Sequence, residues 1–395
     1  MAPPWVLLER TVMFVSGEAV TWSPSGDLES SGGVSGGGAS TEAAAIDDQE
    51  MSMQAILEAM KPDPGLSDPP GISQLHMVRR IGGGLSGGDI SSTDKALVVL
   101  YAGFYRPGFS CNSLSGCYLV YDASSNSLSA IPPLPDPHTF SGLGLGTAIL
   151  SLGEGRYLLA ELVERNSGFP DAALFLWQCT NPNPTQGQWI RKEVRLPPQV
   201  FAPDYDFQFQ IDMTFSYAGS FVCWVDLLKG VLVCNLLGST EPELTFVPLP
   251  EGCSIDVPED KPRPWSVDFR SMGCVNGVIK FVTVDGYYEK YRRDDLTLKS
   301  WTLSRDLKVW EAGTPLPLRD LLASESFRER ELPQILPLHP VISVDEDEVV
   351  YFVLNEVDRV DAFDIYGNVS GVEIVPKARP CLVSKSKIQN ECLST

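Results

Sequence analysis

Three aspartates, Asp212, Asp226 and Asp268, stand at the edges of short apolar runs. Carboxylates brought together from such positions can divide general acid and general base work on a sugar or another small molecule. The same positions are where aspartate caps turns, its short side chain bonding its own backbone two residues on. Capping is the commoner use, so the sequence assigns no catalytic residue.

Other motifs fail on context. Gly33-Val-Ser-Gly-Gly37 and Gly84-Leu-Ser-Gly-Gly88 match the nucleophile elbow, which needs a strand before the serine and a helix after it, yet both lie in glycine-rich low complexity. Gly142-Leu-Gly-Leu-Gly146 resembles a dinucleotide loop but leads into a strand, with no acid downstream to hold a ribose. Asp345-Glu-Asp-Glu348 lacks the alternating ligands and central glycine of a calcium loop and reads as a solvated turn. His76, His138 and His339 are scattered singly and there is no Cys-x-x-Cys, so no metal or cofactor ligand is assigned. Cys223 and Cys234 face each other if their hairpin turns at Leu228-Lys229 and do not if it turns at Lys229-Gly230. Either way they read as buried thiols acting as small hydrophobes.

The net charge of −21, from 51 acidic against 30 basic residues, repels phosphate backbones and anionic membranes, which argues against nucleic acid or a membrane surface as partner. Tyr287-Tyr-Glu-Lys-Tyr-Arg-Arg293 is the one basic and aromatic cluster, and alternation along a solvated strand explains it. The opening residues have no basic start and their apolar run is cut by Glu9 and Arg10, so no secretory signal is read. With nine cysteines, an odd number, the thiols read as reduced and the sequon at Asn368 as unused. A soluble, intracellular protein, cytoplasmic or nuclear, is expected.

The elements behind these residues repeat. From Asp212 to Pro250 four strand-like runs follow one another, each closed by Gly, Asp or Pro; Pro248 and Pro250 confine the fourth to a sheet edge. The unit recurs at 90–135, 147–198, 269–310 and 340–376, with third strands ending on Asp122, Asn235 and Asp294. Within 269–310 the third strand is read as Tyr287 to Arg293 and the fourth as Lys299 to Leu303. The expectation is an all-β chain forming a single β-propeller of five or six four-stranded blades with short helical insertions. Residues 1–89 carry an N-terminal strand (Trp5 to Val15), a flexible Gly/Ser-rich insertion, a helix with Met53, Ile56, Leu57 and Met60 on one face, and strand material for an extra blade or for closing the ring on the last unit. Residues 90–376 form the body, interrupted by a helix within 314–330, and 377–395 are a polar tail.

Phe221-Val-Cys-Trp-Val-Asp226, Gly230-Val-Leu-Val-Cys-Asn235, Pro248-Leu-Pro250 and the opening Pro3-Pro-Trp-Val-Leu-Leu8 resemble the plant domain of unknown function 1618 family, expanded in grasses, over most of the chain. Asn235 stands where members usually carry Asp. The resemblance implies no reaction; some relatives look like propellers attached to F-box segments, and no F-box is evident here. The expected function is a monomeric, non-catalytic binding or adaptor module for another protein, with Trp265 or Tyr205 as anchors. The alternative is a hydrolase-type enzyme using channel carboxylates.

Overall fold

The computed structural model describes residues 6–16, 53–354 and 379–384, apart from 69–70, 80–84, 86, 104–106, 108–115, 136–138, 166–170, 179–186, 201–208, 239–240, 258–260, 293–294, 330–333 and 345. The chain is all-β with short helices, and its strands form five sheets in sequence order. At the N-terminus lie β1 (Leu7–Leu8), β2 (Thr11–Ser16), α1 (Met53–Ala59), β3 (Met60–Gly65) and β4 (Ile72–Arg79). Unit 1 is β5 (Gly87–Asp94), β6 (Leu97–Gly103), β7 (Gly116–Asp122) and β8 (Ser127–Ile131). Unit 2 is β9 (Phe140–Gly153), β10 (Arg156–Arg165), β11 (Asp171–Gln178) and β12 (Trp189–Arg195), and unit 3 is β13 (Met213–Tyr217), β14 (Phe221–Asp226), β15 (Gly230–Asn235) and β16 (Leu244–Pro248). Unit 4 holds β17 (Arg270–Val275), β18 (Val278–Asp285), β19 (Thr297–Leu303), β20 (Trp310–Ala312) and β21 (Leu316–Pro317). After α2 (Leu318–Ala323) and α3 (Glu325–Glu329), unit 5 holds β22 (Leu338–Ile342), β23 (Val349–Leu354) and β24 (Arg379–Ser384).

Units 2 and 3 are antiparallel meanders. Turn chemistry explains the third-strand ends of units 1 and 3: Asp122 Oδ1 accepts from the N–H and O–H of Ser124, and Asn235 Oδ1 accepts from the N–H groups of Leu237 and Gly238. Pro248 ends β16 at its sheet's edge, as its missing N–H requires. The same logic holds for β3, whose Pro62 and Pro64 pair with β4 on one side only. One face of α1 buries Ile56, and Met53 and Leu57 pack beside it.

Each interface between successive units is its own apolar core. Tyr101, Tyr118, Phe175 and Trp177 fill the space between units 1 and 2; Leu162, Leu174, Trp224 and Leu232 fill that between 2 and 3. Cys223, Val233, Met272 and Phe281 join units 3 and 4, and Phe269, Val284, Leu318 and Phe352 join 4 and 5. Two of these interfaces share a device: Trp189 Nε1 donates to Pro132 O at 2.9 Å, and Trp310 Nε1 donates to Pro248 O at 2.8 Å. In each, a tryptophan opening a fourth strand satisfies a carbonyl at the end of the preceding unit's fourth strand.

The first strands of units 1, 2 and 3 touch along a polar seam. Thr147 O accepts from Ser91 Oγ at 2.7 Å, Ser92 Oγ at 3.0 Å and Thr214 Oγ1 at 3.3 Å.

The structure corrects three expectations. The strand read at Tyr287 to Arg293 is absent over its described residues 287–292: Gly286 to Lys290 turn, with positive φ at Gly286 and Lys290, and the third strand is Thr297–Leu303. Of the two readings of the N-terminal strand, closure onto the last unit is not seen among the described residues; β2 pairs with β5 of unit 1 and runs parallel to β4. The stretch read as a polar tail supplies β24, which pairs with β23. The continuation of unit 5 expected at 360–376 and the Gly/Ser-rich insertion lie outside the described residues.

Candidate functional site

The site is built around a buried turn. Asp226 pairs with Gly230, so Leu227, Leu228 and Lys229 connect β14 to β15. Leu227 and Leu228 are fully buried, and a buried turn must find partners for its backbone. Leu227 N–H donates to Asp212 Oδ2 at 2.8 Å, and Leu227 O accepts from Arg270 Nη1 at 2.8 Å. Leu228 N–H donates to Asp226 Oδ1 at 2.8 Å, and its carbonyl accepts from Ile255 N–H at 3.0 Å. The turn length settles the cysteines: Cys223 pairs with Val233 and Cys234 with Val222, so the two thiols sit on opposite faces, in different cores. Burial raises both thiols, Cys234 to about 11.

Arg263 then bridges the two aspartates. Its Nη2 lies 2.9 Å from Asp212 Oδ2 and 2.8 Å from Asp226 Oδ1. Asp226 Oδ2 also accepts from Gln210 N–H at 3.0 Å, and the Asp226 side chain is 0% exposed. Asp212 is held above its ordinary carboxylate range, first by burial; Arg263 opposes the shift and the Asp226 charge adds to it. From the other side Arg10, between β1 and β2, donates through Nη2 to Asp212 O at 2.8 Å and through Nε to Ile90 O at 3.2 Å, tying unit 1 to unit 3. Arg270 is enclosed between the Phe269 and Phe281 rings, and burial lowers it to about 10.

Two of the three aspartates singled out in the sequence are therefore brought together, and the third is not. Asp268 ends a 3-10 turn, Ser266–Asp268, and its Oδ1 lies 3.4 Å from His339 Nδ1 on β22. Sequence reasoning missed Arg10, Arg263 and Arg270, because nothing in their spacing ties them to Asp212 or to the Leu227 carbonyl. One signal was present for Arg263. Prolines on both sides, in Pro262-Arg-Pro264, stiffen the segment that delivers it.

Trp265 follows directly and is 68% exposed. The loop that presents it is held at both ends, by the Arg263 bridges before it and by Asp268 N–H donating to Trp265 O at 3.0 Å after it. Tyr205 lies outside the described residues.

The remaining motifs have structural explanations. Gly144 forms a parallel bridge with Ile211 at φ +124°, and a Cβ there would meet Ile211 O at 2.3 Å, so the glycines of 142–146 admit a neighbouring strand rather than a phosphate. Gly87 and Gly88 open β5, a strand where the elbow needs a helix; Ser86 and the Gly33 motif lie outside the described residues. Glu346 accepts from Tyr351 O–H at 3.0 Å and Asp347 pairs with Lys280, while Asp345 lies outside the described residues. Among the described residues no three His, Cys, Asp or Glu side chains group as metal ligands, and no helix is long and apolar enough to cross a membrane.

No curated protein matches the chain. Among solved structures, a thermostable family-43 glycoside hydrolase is similar at 10% identity over 68% of this chain and 83% of its own, with a TM-score of 0.28. A hypothetical protein from Leishmania major is similar at 8% identity over 69% of this chain and 82% of its own, with a TM-score of 0.25. The model of the family described as "Protein of unknown function (DUF1618)" matches residues 224–351, from the signature tryptophan to β23. Over that stretch, about a third of the chain, the sequence is similar to that family, the one the Cys-Trp-Val-Asp signature resembles.

Proposed function

We propose that this chain is a propeller-like, non-catalytic binding module for another protein, and that the partner docks where Trp265 is presented. The exposed indole carries the reading. A large aromatic held in water by a loop that is already ordered loses little freedom on binding, which is how interface anchors work. The hydrolase alternative asks for carboxylates free to trade protons with a substrate. Asp226 is enclosed and bonded to two N–H groups and a guanidinium, which suits a structural role. A net charge of −21 favours a basic or neutral partner surface, steered by charges that are screened beyond about 8 Å at physiological salt.

The test is affinity capture from cell extract with wild type and Trp265→Ala at low and high salt, beside a charge-matched acidic control. We expect specific partners with wild type, fewer as salt rises, and loss with the variant, whose melting temperature stays that of wild type because the ring is exposed. Identical capture by both proteins overturns the reading.

A further inference from the structure

Strand β12 of unit 2 is an open sheet edge. Its seven residues all pair in register with β11, and among the described residues no other backbone is bonded to them. The fourth strands of units 1, 3 and 4 are guarded: α1 packs on β8, β16 ends in Pro248, and β20 is three residues long. Strand β12 has neither a proline nor a break in register. It is also ordered before anything binds. Trp189 donates to Pro132 O and packs on Trp177 and Tyr118, with centroids 5.6 and 5.3 Å away, and Val194 is buried near the other end. Every second residue of an antiparallel edge strand turns its N–H and C=O away from the ladder. Such a row is a template for one more strand.

The charge along this edge is opposite to that of the whole molecule. In a chain of net charge −21, β12 carries Arg191, Lys192 and Arg195 against Glu193. Glu193 is already answered from two sides, by Arg191 at 2.8 Å and by Arg165 of β10 at 3.2 Å, and Asp171 of β11 stands opposite Arg195. Cations along an edge repel a second copy of the same edge and accept a strand of opposite charge. The two faces differ. Arg191, Glu193 and Arg195 alternate on one, with the Arg191 guanidinium 5.7 Å from the Phe140 ring, and Ile190, 45% exposed, shares the other with Lys192. A strand laid beside β12 therefore meets cations with one set of its alternate side chains and an apolar neighbour with the other. We propose that β12 binds an extended segment of another protein in which acidic and apolar residues alternate, adding it to unit 2 as a fifth strand. This surface does not include the Trp265 loop, and the inference does not rest on the reading given for that loop.

The test titrates the full chain with a synthetic peptide of alternating glutamate and valine, read by fluorescence anisotropy and by hydrogen-exchange mass spectrometry. A lysine–valine peptide and a glutamate–valine peptide interrupted by proline are the controls. The acidic peptide should bind, more weakly as salt rises, and should slow exchange over residues 189–195, while neither control does so. Reversing Lys192→Glu and Arg195→Glu together should lower its affinity about tenfold, the worth of two exposed ion pairs. Arg195 is exposed, so Arg195→Glu alone should keep the melting temperature of wild type and lower affinity about threefold. Trp265→Ala should leave the peptide's affinity unchanged. Absence of binding, equal binding of the proline-interrupted peptide, preference for the lysine peptide, or affinity untouched by the reversals overturns the inference. A dimer in sedimentation that the reversals dissociate assigns the edge to a second copy of this chain and overturns it as well.

Discussion

The connection between β14 and β15 in unit 3 is three residues long and wholly apolar at Leu227 and Leu228, whereas that between β18 and β19 in unit 4 runs from Gly286 to Leu296 with Tyr291 exposed. Both join a second strand to a third. In unit 3 Asp226 meets two of the turn's N–H groups from within the hairpin, and Asp212, Ile255 and Arg270 meet others from outside it, with Arg263 holding the carboxylates. The described part of the unit 4 loop carries bonds within itself: Lys290 N–H donates to Tyr287 O, Tyr291 N–H to Gly286 O and Asp295 N–H to Arg292 O. It is also anchored from outside, by Leu318 N–H donating to Leu296 O at 2.9 Å and by Tyr287 stacked on Phe269, centroids 5.1 Å apart. A connection built by distant groups depends on distant residues, and one built by its own chain depends on local backbone geometry.

The comparison can be broken most severely through the strand that leads into the buried turn. Trp224 is 0% exposed between units 2 and 3, and its Nε1 donates to Gly146 O at 2.7 Å. Trp224→Ala should cost about 3 to 5 kcal/mol in urea unfolding. A variant as stable as wild type would show that unit 3 is not anchored through this ring.

Next comes Arg263→Ala, which leaves Asp226 enclosed beside Asp212 without the guanidinium that bridges them. It should cost about 3 kcal/mol, while Arg292→Ala in the unit 4 loop should stay within about 0.5 kcal/mol. Equal effects would erase the distinction between the two connections. Read as a turn cap alone, Asp226→Ala would cost about 1 kcal/mol; the added bonds to Gln210 and Arg263 place it above that.

Gly286→Ala attacks the locally built loop. Its φ is +85° and a Cβ would meet Tyr291 Cδ2 at 2.6 Å, so a loss of about 1 to 2 kcal/mol is expected in thermal unfolding.

The smallest effect is a slope against pH. Asp212 is raised in the fold, so the folded chain keeps its proton to higher pH than the unfolded chain does. The stability from this group is therefore fullest below the unfolded value near 3.8 and is lost as pH climbs through the raised one. Asp212→Asn removes the titration, so wild-type stability minus that of the variant should fall in denaturant melts as pH climbs from below the unfolded value through the raised folded one. A difference that rises instead would mean that Arg263 outweighs burial.

Much of this arrangement could be read from local signals. Strands β13 to β16 fall where alternation and the closing Gly, Asp and Pro place them, and Asp122 and Asn235 cap as their residue types suggest. Such features depend on residues a few positions apart, which sequence displays directly. Tyr287 to Arg293 misled because alternating aromatic and charged residues suit a strand, yet positive φ at Gly286 and Lys290 turns the chain before a ladder forms.

Tertiary structure alone decided the rest. The register that separates Cys223 from Cys234 hangs on one residue of turn length, and that turn is held by Asp212, Arg263 and Arg270. Where the N-terminal strand pairs, and that Arg10 reaches Asp212, were likewise not legible. A strand's existence follows from its own side chains, but backbone N–H and C=O groups are alike in every strand. Which partner satisfies them is settled only when all the units pack together.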